Sequence, residues 1–295
     1  MRVLVTGATG FVGNEVVAAL LARGHQVRAL VRPGSERKIK AAAVELAWGD
    51  VLDKAAVAQA GQGCDALIHL VGIIREFPRR GITFERLHVQ ATMNAVDAAR
   101  DAGVRRYLQM SALGARPVPA DPYHTTNFRA DEYVRASGLT YTIFRPSVIY
   151  GPQDQSINLF ARQLRACPIF PVMGGGFYQM QPVPVTTVAH AFALALELPQ
   201  TENCTYEVGG PEPLTFNEII DTLAEVLGRK VYKVHLPVWP VRLTAWLFGR
   251  FAWFPLTYGQ IRMLLEGNTC DPTAFYQDFG LEPVSFRGGL DRYLG

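Results

Sequence analysis

The sequence of 295 residues has few cysteines, no cluster of basic residues and no long uninterrupted apolar run. The four cysteines lie far apart and match no metal-binding spacing: Cys64, Cys167, Cys204 and Cys270. We therefore expect small buried thiols in a reducing compartment and no metal site. Because the net charge is only +3 and the arginines are scattered, the sequence predicts no nucleic-acid partner.

The most apolar stretch runs from Leu236 to Leu256, and three prolines and two arginines interrupt it. A membrane-spanning helix needs about 20 mostly apolar residues, and the prolines and arginines make this stretch too broken to span a bilayer. It predicts a helix packed in a small domain, or a docking face for a protein partner or a membrane surface. The docking-face hypothesis is based on the aromatic residues of this stretch: Trp246, Phe248, Phe251, Trp253 and Phe254.

The chain begins directly with a predicted core strand, which leaves no room for a signal peptide. We therefore expect a cytoplasmic protein, with a peripheral position at the membrane as the alternative that the apolar stretch raises. Since 49% of the residues are hydrophobic, the chain can bury a large core, as one large domain or two modest ones.

A glycine-rich loop near the start of the chain predicts a phosphate-binding site. The stretch VLVTGATGFVG carries three glycines at regular spacing: Gly7, Gly10 and Gly13. A buried parallel strand is predicted before them, a helix over about 11–23 after them, and a second strand over 26–31. The glycines allow a tight turn, close approach of a pyrophosphate and close packing of the helix, whose N-terminal amides point at the same place.

Strands and helices alternate over the first half of the chain. Further strands are predicted over 44–48, 65–70, 106–110 and 140–144, with helices over about 53–60, 84–102 and 123–137. This alternation predicts an α/β fold, with a Rossmann-type doubly wound parallel sheet in residues 1–150.

After residue 150 the pattern changes. Residues 151–295 are predicted to form a smaller α+β substrate or partner domain, from which the chain may cross back to the sheet. Its helices are predicted over 157–166, 188–198 and 215–227, and the last begins with a capping box of Thr215 and Glu218.

The end of the second strand indicates which cofactor binds. NAD-binding proteins usually carry an acidic residue here, whereas NADP-binding proteins place an arginine near the extra phosphate. This position is Arg32, which favours NADP(H), although Glu36 leaves NAD(H) open and Arg32 alone is also compatible with a solvated loop. Asp50 is predicted either to meet the adenine or to cap the following helix. The predicted cofactor-binding residues are Gly7, Thr9, Gly10, Phe11, Val12, Gly13, Arg32, Asp50, Val51, Leu70, Val71, Gly72 and Pro146.

The combined motifs resemble the short-chain dehydrogenase/reductase superfamily. They are TGATGFVG, GDVLD, a strand ending in Ser111, a helix opened by Tyr123, SGLTYTIFRPSVIYGP and YEVGGPEPLTFNEII. The likeness extends from residue 1 to about 230 and is greatest to the atypical and extended branch. That branch includes sugar-nucleotide epimerases and, closest in pattern, the nucleotide-binding accessory subunit of respiratory complex I with its bacterial relatives.

The resemblance implies a catalytic Ser and Tyr and a Lys four residues after the Tyr. Ser111 and Tyr123 match the first two, but the lysine position is Asn127, and no lysine occurs between Lys54 and Lys230. Without a neighbouring cation, the pKa of Tyr123 is expected near 10. Such a phenol can donate a proton during carbonyl reduction but is a poor base for alcohol oxidation.

Two functions follow from this pattern. The first is an NADP(H)-dependent oxidoreductase or epimerase-like enzyme acting on a small carbonyl, a quinone or a sugar nucleotide. The second is a non-catalytic NADP(H)-binding scaffold or redox sensor that docks a respiratory or other partner. The retained Ser111 and Tyr123 favour the enzyme, and Asn127 favours the scaffold.

Overall fold

The computed structural model describes residues 1–118, 121–249 and 257–295. The last seven residues of the apolar stretch predicted from Leu236 to Leu256, with Phe251, Trp253 and Phe254, lie outside the described residues. None of the helices in the described part of the chain is long and apolar enough to cross a membrane.

The strands and helices follow each other as a regular alternation at first. The strands are β1 (Arg2–Thr6), β2 (Gln26–Val31), β3 (Val44–Trp48), β4 (Ala66–His69), β5 (Arg106–Met110), β6 (Thr140–Pro146), β7 (Ile149–Tyr150), β8 (Ile169–Met173), β9 (Gln179–Met180), β10 (Val183–Pro184), β11 (Cys204–Val208), β12 (Leu214–Thr215) and β13 (Tyr232–Leu236). The α-helices are α1 (Phe11–Ala22), α2 (Lys54–Gly61), α3 (Ala91–Asp101), α4 (Pro122–Arg135), α5 (Ile157–Ala166), α6 (Val185–Leu194), α7 (Phe216–Val226), α8 (Val238–Phe248), α9 (Tyr258–Glu266), α10 (Thr273–Phe279) and α11 (Phe286–Asp291).

The chain divides into two compact units. The first comprises Met1–Pro146, Val185–Val208 and Thr273–Leu281, and the second comprises Ser147–Pro184, Gly209–Pro272 and Glu282–Gly295. A single boundary after residue 150 therefore does not describe the chain. The reason is that β11 pairs in parallel with β6 and so extends the sheet of the first unit.

The first unit is built on a seven-stranded parallel sheet in the order β11-β6-β5-β4-β1-β2-β3. The order reverses on either side of β1, and helices cover the sheet, which confirms the predicted Rossmann-type α/β fold. The central strands are buried on both faces, since Val3, Leu4 and Val5 of β1 are completely inaccessible to solvent. This burial explains why β1 is a continuous apolar run rather than an alternating one.

The predicted helix over residues 84–102 begins differently from the expectation. Residues Glu85–Gln90 form a π-helical turn, and α3 continues from Ala91 to Asp101. A π-turn contains an extra residue per turn, so it rotates the side chains before it relative to those after it. Two residues of this turn, Glu85 and His88, contact α4.

The second unit has a separate core. Helices α5, α7 and α11 contribute to one apolar cluster, which includes Phe170 and Phe216. The capping box of Thr215 and Glu218 at the start of α7 is present, as predicted. Three strand pairs complete this unit: β7 with β10, β9 with β12 and β8 with β13.

Candidate functional site

The glycine loop between β1 and α1 has the geometry of a phosphate cradle. Gly7 has a φ of +79°, and the Gly10 amide donates to the Gly7 carbonyl oxygen over 3.0 Å. A Cβ atom at Gly13 would lie 2.2 Å from that same oxygen, so only glycine fits. Gly10 offers no side chain to cap α1, which leaves the first-turn amides for an anion.

Asn14 supports this loop and was not predicted. Its side-chain amide donates to the Gly10 carbonyl oxygen over 3.0 Å, and its Oδ1 accepts from the Lys40 backbone amide over 3.0 Å. Asn14 therefore joins the glycine loop to the segment that follows β2. The residue lies inside the predicted helix, where nothing in the local pattern distinguishes it from a surface position.

Arg32 and Asp50 follow adjacent strands and come together. The Arg32 Nη1 atom lies 3.9 Å from Asp50 Oδ2, and the Arg32 side chain is 70% exposed. The Asp50 Oδ1 atom accepts from the Leu52 amide over 2.9 Å, which closes a turn after β3. The neighbouring Val51 is buried, and its carbonyl oxygen accepts from Asn94 Nδ2 over 3.1 Å.

The alternative that Asp50 caps the next helix is wrong. Asp53 caps α2, since its Oδ1 accepts from the amides of Ala55 and Ala56 over 3.0 and 3.2 Å. Asp53 stands immediately before the first turn with an extended backbone, which is the geometry that lets a side chain reach these amides.

The end of β4 lies against the glycine loop. The Leu70 amide donates to the Thr6 carbonyl oxygen over 3.0 Å, and a Cβ atom at Gly7 would lie 2.9 Å from the Leu70 carbonyl carbon. Val71 is half-buried and Gly72 is exposed. The loops after β1 and β4, predicted separately as parts of one cofactor site, are therefore neighbours.

Ser111 follows β5 and is held by two interactions. Its amide donates to the Phe144 carbonyl oxygen over 2.7 Å, and its hydroxyl donates to Asp131 Oδ2 over 3.0 Å. Pro146, the last residue of β6, accepts from the Leu113 amide over 3.0 Å and so ties the loop after β5 to the end of β6.

Asp131 is a completely buried carboxylate behind Ser111. Arg145 contacts the Oδ2 atom of Asp131 through Nε over 2.8 Å and through Nη2 over 2.7 Å. Burial raises the pKa of the Asp131 carboxyl, against the opposing effect of the Arg145 guanidinium. The Ser111 hydroxyl thus forms part of a buried ion-pair network, which the sequence pattern did not indicate.

Tyr123 lies in the first turn of α4 and is surrounded by aromatic rings. Its ring meets those of Phe84, His88 and His124 edge-on, with centroids 5.6, 5.6 and 5.3 Å away. Burial, together with the negative charge of Asp121, raises the pKa of Tyr123 to about 12. The expectation of a pKa near 10 is therefore wrong, because it ignored desolvation of the phenol by neighbouring side chains.

Asn127 occupies the lysine position and is buried. Its Nδ2 atom donates to the Tyr123 carbonyl oxygen over 2.9 Å and lies 3.4 Å from His88 Nδ1. The amide therefore links α4 to the π-turn. Arg129, by contrast, pairs with exposed Glu85 on the outer side of the helix, as its spacing from Tyr123 indicates.

His88 was missed by the sequence reading. Its Nδ1 atom lies 2.9 Å from Thr126 Oγ1, and its Nε2 atom lies 3.0 Å from the Ile73 carbonyl oxygen. Burial lowers the pKa of His88 to about 4, so the ring is neutral at pH 7. His88 lies three and seven residues before the buried Ala91 and Ala95, so helical spacing agrees with its buried position, but the spacing does not show which groups surround the ring.

His124 follows Tyr123 in the first turn of α4 and is buried, with Nδ1 2.7 Å from Asp121 Oδ2. Asp121 also caps α4, since its Oδ1 accepts from the His124 amide over 3.3 Å. This local pair at the start of the helix places the His124 ring against the Tyr123 ring.

Residues 7–164 match the model of a family described as NAD(P)H-binding. The chain belongs to this family and is a Rossmann-fold protein of the short-chain dehydrogenase/reductase type. The glycine loop, the strand ends and the Ser111–Tyr123 pair all fall within the matched residues.

Among its relatives is a ceramide reductase of Caulobacter vibrioides, which is 31% identical over 245 residues, covering 80% of this chain and 73% of that protein. Subunit 9 of the NADH dehydrogenase [ubiquinone] 1 alpha subcomplex from Arabidopsis thaliana mitochondria is 30% identical over 242 residues. That match covers 79% of this chain and 60% of the subunit, so the chain matches less than two thirds of that subunit's length.

A solved structure has the same fold. The UDP-glucose 4-epimerase of Thermotoga maritima, determined with UDP-glucose, superimposes with a TM-score of 0.80 over 100% of this chain and 97% of that one. Its identity is 21%, so the comparison is limited to the fold.

Proposed function

We propose that this chain is an NADP(H)-dependent reductase of carbonyl compounds in which Tyr123 donates the proton. The observation that carries the proposal is the position of Tyr123 in the first turn of α4, where its ring lies edge-on against those of Phe84, His88 and His124. This burial raises the pKa of the phenol to about 12. The retained Ser111 and the glycine loop support a reactive centre at the carboxyl edge of the sheet.

The raised pKa favours reduction over oxidation. A phenol with a pKa of about 12 is more than ~99.9% protonated at neutral pH, so Tyr123 can give a proton to an oxygen that is gaining negative charge. In alcohol oxidation the phenolate form of Tyr123 would have to act as the base, and only about one molecule in 10⁵ has this form at pH 7. When bound, the cofactor supplies the hydride.

In this proposal Ser111 orients the substrate and does not protonate it. Its hydroxyl proton is directed to Asp131, so its remaining capacity is to accept a hydrogen bond. Asn127 fixes the first turns of α4 through the Tyr123 carbonyl oxygen, without adding a charge.

The choice of NADP(H) rests on Arg32. Its guanidinium is exposed, and the ion pair that it makes among the described residues is a distant one with Asp50, so a 2′-phosphate could replace that carboxylate as its partner. Gly7, Thr9, Gly10, Phe11, Val12 and Gly13 would hold the pyrophosphate, and the loops containing Asp50, Val51, Leu70, Val71, Gly72 and Pro146 would line the rest of the dinucleotide.

The substrate class that we favour is a ketone on a long-chain lipid, in keeping with the similarity to a ceramide reductase. Quinones and sugar nucleotides are the further candidates. The test is NADPH consumption, followed by absorbance, with a panel of long-chain ketones, quinones and UDP-sugars.

Two variants sharpen this test. Tyr123→Phe should abolish turnover and leave NADPH affinity unchanged. Arg32→Ala should weaken NADPH binding at least tenfold and leave NADH binding unchanged, whereas Arg287→Ala, which removes an exposed arginine of the second unit, should affect neither. Turnover that survives in Tyr123→Phe would overturn the proposal.

A non-catalytic NADP(H)-binding scaffold is the second candidate. Asn127 favours it, because the amide is engaged within the protein and supplies no cation to activate Tyr123. The similarity to a complex I subunit agrees with such a role. Tight NADPH binding without turnover of any panel substrate would support the scaffold over the reductase.

A further inference from the structure

The outward face of α8 consists of apolar side chains. Its exposed stripe recurs at helical spacing, and the exposed fractions are Trp239 70%, Leu243 47%, Trp246 71% and Leu247 43%. The inward face already packs on the protein through Val238, Val241 and Ala245. This helix therefore has a second apolar face, which is open to solvent.

The strand that precedes α8 shows the same feature. In the parallel pair of β8 and β13, Ile169 stands opposite Tyr232. These two residues, with Val234 and Leu236 further along β13, are 53%, 63%, 46% and 40% exposed. Phe170 and Val172 on the other face of β8 are buried. We refer to these side chains and the α8 stripe together as the α8–β13 surface.

The segment that carries this surface contains basic residues and no acidic ones, although Lys233 pairs with Asp221 and Arg262 with Glu266 just outside it. Residues 226–265 contain six basic residues and no Asp or Glu: Arg229, Lys230, Lys233, Arg242, Arg250 and Arg262. Since the whole chain has a net charge of +3, the remaining residues carry a net charge of −3. Arg229, Lys230 and Arg242 are exposed in the structure. Positive charge is therefore concentrated in the same segment as the exposed aromatic side chains.

We infer that the α8–β13 surface binds a membrane containing anionic lipids. Tryptophan and tyrosine are enriched where a bilayer meets water, and amphipathic helices with basic flanks lie in that plane. Anionic headgroups attract nearby lysine and arginine side chains. A second copy of the chain fits less well, because a symmetric contact would bring like charges together.

Vesicle flotation with the full-length protein tests this inference. The protein should float with vesicles of phosphatidylcholine and phosphatidylglycerol, and this binding should weaken as salt is added. Vesicles of phosphatidylcholine alone should bind less protein. The measurement needs no substrate and no turnover, so its result is independent of the proposed reductase activity.

Matched variants separate the apolar and charged contributions. Trp239→Ala with Trp246→Ala should lower vesicle affinity by roughly tenfold or more for each tryptophan. Trp48→Ala removes a tryptophan that is 54% exposed on β3 of the other unit and should leave vesicle affinity unchanged. A triple variant, Arg229→Gln, Lys230→Gln and Arg242→Gln, should lose affinity for anionic vesicles only.

Two results would overturn the inference. One is the absence of flotation with anionic vesicles at low salt. The other is sedimentation showing that the tryptophan variant converts an oligomer to a monomer while vesicle binding stays at the wild-type level, which would assign the surface to a second copy of the chain.

Discussion

Two buried histidines should make the protein sensitive to mild acid. His69 on β4 is completely buried, with Nδ1 2.7 Å from Thr6 Oγ1, and its Nε2 has no hydrogen-bond partner among the described residues. Burial lowers the pKa of His69 to about 3, with a further effect from His88, and lowers that of His88 to about 4.

Whether stability rises or falls with pH depends on which state, folded or unfolded, binds more protons. In the unfolded chain both imidazoles have a pKa of about 6.5, so the unfolded state binds more protons than the folded state between about pH 4 and 6.5. Stability therefore rises with pH over that range. The contribution is complete above about pH 6.5 and is lost as the pH falls towards the folded pKa values.

The magnitude can be worked out from these pKa values. At pH 5 each histidine lowers the free energy of unfolding by about 2 kcal/mol relative to pH 8, or about 4 kcal/mol for both. That loss is a large part of the stability of an ordinary domain. Carboxyl groups such as Asp131, whose pKa is raised, make stability fall with rising pH. The contribution of each histidine is therefore measured by comparing the wild type with a variant that lacks that histidine.

The assay is urea unfolding at pH 8 and pH 5, followed by circular dichroism. His69→Gln and His88→Gln should each reduce the loss of unfolding free energy between these pH values by about 2 kcal/mol. His190→Gln, which replaces an exposed histidine of α6, should lose as much unfolding free energy between pH 8 and pH 5 as the wild type. The reasoning is refuted if both buried-site variants show the wild-type difference between pH 8 and pH 5.

Two further predictions concern the cofactor site and the missing lysine. Gly13→Ala should reduce NADPH affinity more than tenfold and lower the Tm, because its Cβ would lie 2.2 Å from the Gly7 carbonyl oxygen. The control is Gly259→Ala, whose Cβ would have no atom within 4 Å and which should change neither quantity by much. Equal NADPH affinity of the two variants in calorimetry would contradict the prediction. Asn127→Lys should lower the pKa of Tyr123 by placing a cation near it. On any substrate that the panel identifies, the rise of the alcohol-oxidation rate with pH should therefore move to lower pH than in the wild type. An oxidation pH profile identical to that of the wild type would contradict this prediction.

Local patterns were sufficient for most of the sheet unit. Strands β2, β3 and β5 have the predicted bounds, because glycine or proline residues stand close to their ends and limit how far each strand extends. The capping box at Thr215 could likewise be predicted, since a cap depends on side chains only three residues apart. The convergence of Arg32 and Asp50 followed from the rule that the carboxyl ends of parallel strands share one edge.

The environment of Tyr123 could not be read in this way. Its raised pKa depends on Phe84 and His88, which lie more than thirty residues earlier in the chain, and on burial that only folding creates. The Asp131–Arg145 network behind Ser111 likewise joins a helix to a strand. The choice between Asp50 and Asp53 as helix cap required the backbone geometry of the turn.

The glycine spacing, the strand pattern and the positions of Ser111 and Tyr123 are local features, and they were enough to identify the class of protein. The protonation of Tyr123, the groups that surround His88 and the strand to which β11 pairs depend on the tertiary structure. The physical reason is that desolvation and strand pairing depend on residues distant in the chain, and no short-range pattern records which of them will meet.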